Sequence, residues 1–151
     1  MRMRFDPPTD PAAYQFVHRL RVRFADTDAM GVVHHAAYLL YLEEGRVELL
    51  RAVGAPYDVL RQHGVDLPVL EAALRYLQPL RFDEVVEVGA RATQIRRTTF
   101  QVDYLLRSGG VTRATAVTVH GVIDDTGRPV RMPATLRATL EAAAGSPAAT
   151  S

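Results

Sequence analysis

"YLLYLEEGRVELLRAVG", residues 38–54, is the stretch on which the fold turns. Leu39, Leu42, Leu49, Leu50 and Val53 recur at helical spacing, and Tyr38 and Tyr41 widen the same apolar face. The spacing predicts a helix over 38–53, stopped by Gly54. Glu43 and Arg46 fall three residues apart inside the stripe, so they are expected to pair at its solvent end or against a partner. Glu48 and Arg51 make a similar pair on the polar side. Gly45 costs about 1 kcal/mol against alanine in mid-helix, which close approach of another backbone would offset.

Outward from this helix the period changes to two. Before it, "VHRLRVRF" alternates: Leu20, Val22 and Phe24 face one way, and Arg19, Arg21 and Arg23 the other. The arginine row reads as a solvated or subunit-facing surface in preference to a phosphate stripe. After the helix, "APYDVLRQHG" gives a short second helix ending at Gly64. "LPVLEAALRYLQPL" then gives a strand with Leu70, Ala72, Leu74 and Tyr76 on one face, and Pro79 marks a bulge, bend or edge. "EVVEVGARATQI" aligns Val86, Val88, Ala90 and Ala92; "TFQVDYLL" aligns Phe100, Val102, Tyr104 and Leu106. "SGG" is a hairpin turn into the last strand, "VTRATAVTVHGVI", which "DDTGRP" closes. A short helix spans about 133–144. Residues 1–14 read as an irregular arm and 145–151 as a disordered tail. One strand, one substantial helix and four strands with short links make an α+β domain, residues 1–151, with a curved antiparallel sheet wrapping the helix.

Composition removes several chemistries. The 151 residues carry 18 basic and 17 acidic side chains, a balance that argues against a dedicated nucleic-acid partner. There is no cysteine, which excludes disulfides, thiolate zinc sites and cysteine nucleophiles. There is no lysine, which excludes Schiff-base chemistry. Ser108, Ser146 and Ser151 lie in a turn and a tail, not at a nucleophile elbow. No segment is apolar for long enough to span a membrane, and the start lacks a signal-peptide pattern, so a cytoplasmic location is expected. Without a metal, chemistry falls to carboxylates and histidines.

Those residues gather in "DTDAMGVVHH", residues 26–35, just ahead of the helix. As a metal site the cluster is weak. His34 and His35 are adjacent, and neither a strand nor a helix aims neighbouring side chains the same way. No histidine pair stands four apart on a helix, and nothing in the sequence brings His18, His63 or His120 together. As a purely structural element, Asp26, Thr27 and Asp28 suit local turns. As a catalytic site the logic is specific. A helix start offers unpaired N–H groups and the positive end of its dipole, which stabilise a carbonyl oxygen gaining charge. A carboxylate upstream, returned by a turn at Gly31, would attack that carbonyl or activate water. A thioester suits this arrangement better than an amide, whose leaving group also needs an acid. Periodicity does not choose between Asp26 and Asp28.

The segment "DTDAMGVVHHAAYLLYLEEGRVELL", supported by "LRYLQPLRFDEVVEV", resembles the 4-hydroxybenzoyl-CoA thioesterase family of the hotdog-fold superfamily, over about residues 17–123. The resemblance implies a five-stranded antiparallel sheet wrapped around one long helix. It implies a dimer joining two sheets, often paired again into a homotetramer, with active sites at the subunit interface. By motif position it makes Asp28 the catalytic carboxylate, as nucleophile or general base. The backbone N–H of His35 becomes the oxyanion donor and Gly31 the turn residue, and the His35 side chain bounds the acyl pocket or assists proton transfer. It implies an acyl-CoA substrate and no cofactor or metal. With no lysine, Arg96 and Arg97 are candidates for the coenzyme A phosphates, weighed against an exposed hairpin end. Some hotdog thioesterases carry a catalytic glutamate on the helix, but pairing of Glu43 with Arg46 favours a structural role for it. The rival readings are a hotdog hydratase or dehydratase that would use histidine with a carboxylate, and a non-catalytic acyl-CoA-binding module.

Overall fold

The expected helix is α1, Ala37–Ala52, in the computed structural model, which describes residues 3–145 and 149–150. Its 16 residues reach about 24 Å. Ala37, Tyr38, Tyr41, Leu42, Gly45, Arg46, Leu49 and Leu50 are its buried positions. Leu39, expected inside, is 44% exposed. Gly45 is required by contact: a Cβ there would meet Val88 Cγ1 at 2.7 Å. The close neighbour is thus a side chain of the sheet, where the sequence had suggested a backbone.

The strands are β1 Phe16–Arg21, β2 Val69–Tyr76, β3 Val85–Thr93, β4 Thr99–Ser108, β5 Val111–Gly121 and β6 Ala149–Thr150. Sheet order is β2-β5-β4-β3-β1-β6. The first five pair antiparallel, and β6 adds two residues parallel to β1. The two short helices expected after α1 and near the end are α2 Tyr57–Gln62 and α3 Ala134–Gly145, and α1 itself has 16 residues, so three short helices stand where one long helix was expected. Leu136 and Leu140 of α3 enter the same core as Leu42 and Leu49 of α1. The expected tail falls partly on residues 146–148 and 151, outside the described residues.

Alternation is accurate at the centre of the sheet. Val86, Val88, Ala90, Phe100, Val102, Tyr104 and Leu106 are all fully buried. It fails at the two ends. The chain leaves β1 after Arg21, and Phe24, expected inside, is 76% exposed against Phe82. The cause is local: Asp26 accepts hydrogen bonds from the Arg23 backbone N–H (2.9 Å) and guanidinium (2.8 Å), closing a tight turn. On β2 the expected inner row is largely open, with Leu70 53% exposed and Tyr76 49%, because β2 is a sheet edge. On the face away from α1, residues 3–14 lie along the sheet. The Gln101 amide bonds both the N–H and the C=O of Arg4, and the Tyr14 ring fills the space left by Gly89.

Candidate functional site

The loop between β1 and α1 is built by its own polar side chains. Thr27 bridges Val33, Asp28 N–H donates to Val32 C=O (2.9 Å), and Gly31 N–H donates to Asp28 C=O (3.0 Å). Gly31 sits at φ 78°, a conformation that glycine adopts without strain. The Asp28 carboxylate accepts the Met30 N–H through Oδ1 at 2.8 Å. No described hydrogen bond ends on its other oxygen, so Oδ2 remains available. Two backbone ties fix the loop to the rest of the chain: His34 N–H to Asp26 C=O and Val33 N–H to Leu80 C=O, both 2.8 Å.

The two aspartates, inseparable by pattern, differ in three dimensions. Asp26 is 4% exposed and fully engaged, by Arg23 and by the Tyr41 hydroxyl at 2.8 Å. Burial pushes its carboxyl up, but the bonds from Arg23 and Tyr41 outweigh this and hold it below the usual carboxylate range. These bonds close the turn after β1, and Asp26 lines a different cavity from Asp28. Asp28 instead lines a cavity of about 340 Å³ together with Val32, Val33, His35 and Tyr38, and with residues 76–79 opposite.

The entry to α1 supplies the second feature. Its cap residue, Ala36, has no side-chain cap bond. The Ala37 N–H donates to His34 C=O (2.9 Å), and the Ala36 N–H to His34 Nδ1 (3.1 Å). The His35 N–H donates to none of the described residues and lies where the dipole of α1 is positive. The His34 and His35 rings stack, 4.2 Å apart at 29°. This corrects the expectation that neighbouring rings diverge: residues 34–36 form a turn, to which neither helical nor extended geometry applies. Among the described residues no group of three or more His, Cys, Asp or Glu is placed to hold a metal ion.

Other expected residues are placed elsewhere. Arg96 and Arg97 precede β4, at the end where Thr99 pairs with Gly121, whereas Tyr76 at the cavity pairs with Ala114. Ala114 to Gly121 spans roughly 23 Å of strand, so one chain does not bring these arginines to Asp28. Arg46 does not pair with Glu43. It turns inward, 7% exposed, and donates to the Tyr57 hydroxyl at 2.9 Å, because α2 offers a partly buried phenol while Glu43 faces solvent. Glu48 and Arg51 do pair. A larger cavity, about 660 Å³ between β1 and α1, holds Asp26, Glu43, Glu44 and the arginine row but neither Asp28 nor His35. Arg19 and Arg21 pair with Glu87 and Asp83 there, which leaves little free positive charge for a phosphate.

Sequence reading missed two elements. Tyr38 and Tyr76 wall the cavity, their rings 4.9 Å apart and nearly perpendicular. Both had been read only as apolar-face residues. A buried polar chain, from the Tyr104 hydroxyl to Thr118 Oγ1 (2.8 Å) to His120 Nε2 (2.7 Å), also left no periodic signal.

Residues 22–140 match the family model described as the thioesterase-like superfamily. A crystal structure of a hypothetical protein from Aquifex aeolicus is 37% identical, with 83% of this chain and 98% of that one covered and a TM-score of 0.80. A 1,4-dihydroxy-2-naphthoyl-CoA hydrolase of Synechococcus elongatus is 35% identical over 111 residues, 72% of this chain and 80% of the relative. A crystal structure of a Thermus thermophilus thioesterase complexed with coenzyme A and Zn is 28% identical, covering 89% and 98% of the two chains, with a TM-score of 0.76.

Proposed function

The chain belongs to the thioesterase-like superfamily, and we propose that within it this chain is an acyl-CoA thioesterase, converting a thioester and water to a free acid and coenzyme A. The observation that carries this reading is the sharing of one cavity by Asp28 and His35 at the amino end of α1. The reading follows the 4-hydroxybenzoyl-CoA thioesterase type, with the carboxylate on the loop ahead of the helix. Glu43 on the helix lines a different cavity.

In this mechanism the thioester carbonyl lies against the His35 N–H. As the carbonyl carbon becomes tetrahedral, its oxygen takes on negative charge, which that N–H and the dipole of α1 stabilise. Asp28 supplies the oxygen that attacks the carbon, or takes the proton from an attacking water. Collapse expels the thiolate, a better leaving group than an amine; on the water route it leaves the free acid, and on the carboxylate route it leaves a mixed anhydride with Asp28 that water then hydrolyses. The coenzyme A phosphates would be met by arginines from another copy or by the mouth of the cavity, given the distance of Arg96 and Arg97 within one chain.

The enzyme acts as a homo-oligomer built on the β2 edge. An eight-residue edge strand with Val69, Leu70 and Tyr76 about half exposed, and Leu77 just beyond it equally so, is a surface that a second copy of the same strand would cover. No helix among the described residues is long and apolar enough to cross a membrane, and the proposed location is the cytoplasm. The test is a panel of acyl-CoA esters with free-thiol release as the readout, alongside light scattering for the assembly. Binding without thiol release would refute the hydrolase, and a monomer in solution would refute the edge-paired oligomer.

A further inference from the structure

The peptide that carries the His35 N–H is held from several sides. Its own carbonyl, that of His34, accepts the Ala37 N–H at 2.9 Å. The next peptide is held at its nitrogen by the His34 ring, through the Ala36 N–H at 3.1 Å. Those bonds are local to the turn. The carbonyl of that next peptide, His35 C=O, is not taken by the first turn of α1, since the Leu39 N–H donates to Ala36 C=O. It accepts instead from the Tyr76 hydroxyl, at 3.0 Å, across 41 residues of sequence. Tyr76 is the last residue of β2, and its ring stands edge-on to Tyr38 at 84°.

The geometry points to Tyr76 as a positioning residue for the oxyanion donor, a role that rests on the thioesterase reading above. A residue has two soft backbone torsions, so the His35 N–H and C=O are linked by only φ and ψ of that residue. Fixing the carbonyl from the sheet limits the swing of the amide. The hydroxyl reaches the peptide from β2, while the remaining bonds to these two peptides come from within the turn itself. Tyr76 touches the peptide next to the oxyanion donor, not the reacting atoms. Its effect should therefore appear in the rate of the chemical step and not in substrate affinity. The ring serves a separate purpose as a wall of the cavity beside Leu77 and Gln78.

Tyr76→Phe separates the two roles, because it keeps the ring and removes only the hydroxyl. The change removes only a hydroxyl bonded to one backbone carbonyl, so the variant should fold and assemble as wild type does, checked by its melting midpoint and light scattering. Single-turnover and steady-state thiol release are measured for wild type, Tyr76→Phe and Tyr76→Ala on one acyl-CoA that the wild type hydrolyses. For Tyr76→Phe, kcat and the single-turnover rate should fall about 3- to 10-fold with KM changed less than about twofold. Tyr76→Ala should show the same loss in kcat and, in addition, a raised KM. Unchanged turnover in Tyr76→Phe, or a loss carried by KM alone, overturns the inference while the thioesterase reading stands. A wild type that binds acyl-CoA esters but releases no thiol overturns both.

Discussion

Asp28→Asn is the most direct test of the proposed chemistry, because the structure separates what the change keeps from what it removes. Oδ1 accepts the Met30 N–H at 2.8 Å and lies 3.5 Å from the Val32 N–H, and an asparagine carbonyl oxygen takes both roles. The turn is also held by the backbone bonds of Asp28 with Val32 and Gly31. The variant should therefore melt within about 2 °C of wild type, since a shift of 2–4 °C corresponds to roughly 1 kcal/mol in a domain this size. What disappears is the second carboxylate oxygen, which no described group engages. Replacing it with an NH₂ removes both a nucleophile and a proton acceptor. Loss of a general base lowers turnover by about 10²–10⁴, and the lower bound corresponds to about 2.7 kcal/mol of barrier. The assay is thiol release from acyl-CoA esters, with binding of the same ester measured separately. A variant that folds, binds and retains more than about a tenth of wild-type turnover would refute the reasoning. It would shift the chemistry to the histidines, as a hydratase reading requires.

The remaining predictions concern the scaffold. Gly45→Ala should lower stability by about 1 kcal/mol or more, because overpacking against Val88 Cγ1 at 2.7 Å exceeds the gain of about 1 kcal/mol in helix propensity. In a Val88→Ala background the same change should be less damaging, and equal damage in both backgrounds by denaturant melts would contradict the contact. His120 is fully buried, and burial, followed by the Arg46 charge, pushes its pKa down to about 3. Below about pH 6.5 the unfolded chain takes up a proton that the folded chain refuses, so stability present above that pH is lost as pH falls toward 3. At pH 5 the loss is about 2 kcal/mol, and His120→Gln should lose correspondingly less between pH 7 and pH 5 in urea melts. Finally, Leu70→Arg on the β2 edge should weaken self-association in light scattering, and an unchanged oligomer would place the interface elsewhere.

Periodicity was enough to locate the elements, because burial on one face acts on every residue of a regular segment. The helix at 37–52 and the inner rows of β3 and β4 follow from spacing alone. The candidate site was also partly legible, since acidic residues, a glycine turn and a helix start occur close together in the chain. Contacts between distant segments left no such trace. Only the folded chain separates Asp26, enclosed by Arg23 and Tyr41, from Asp28, which lines the cavity. Only the folded chain turns Arg46 toward Tyr57, places Arg96 and Arg97 at the far end of the sheet, and brings Tyr76 to His35. The physical reason is that local sequence fixes backbone period and turn chemistry, whereas a side chain's partner depends on which strand or helix arrives opposite it.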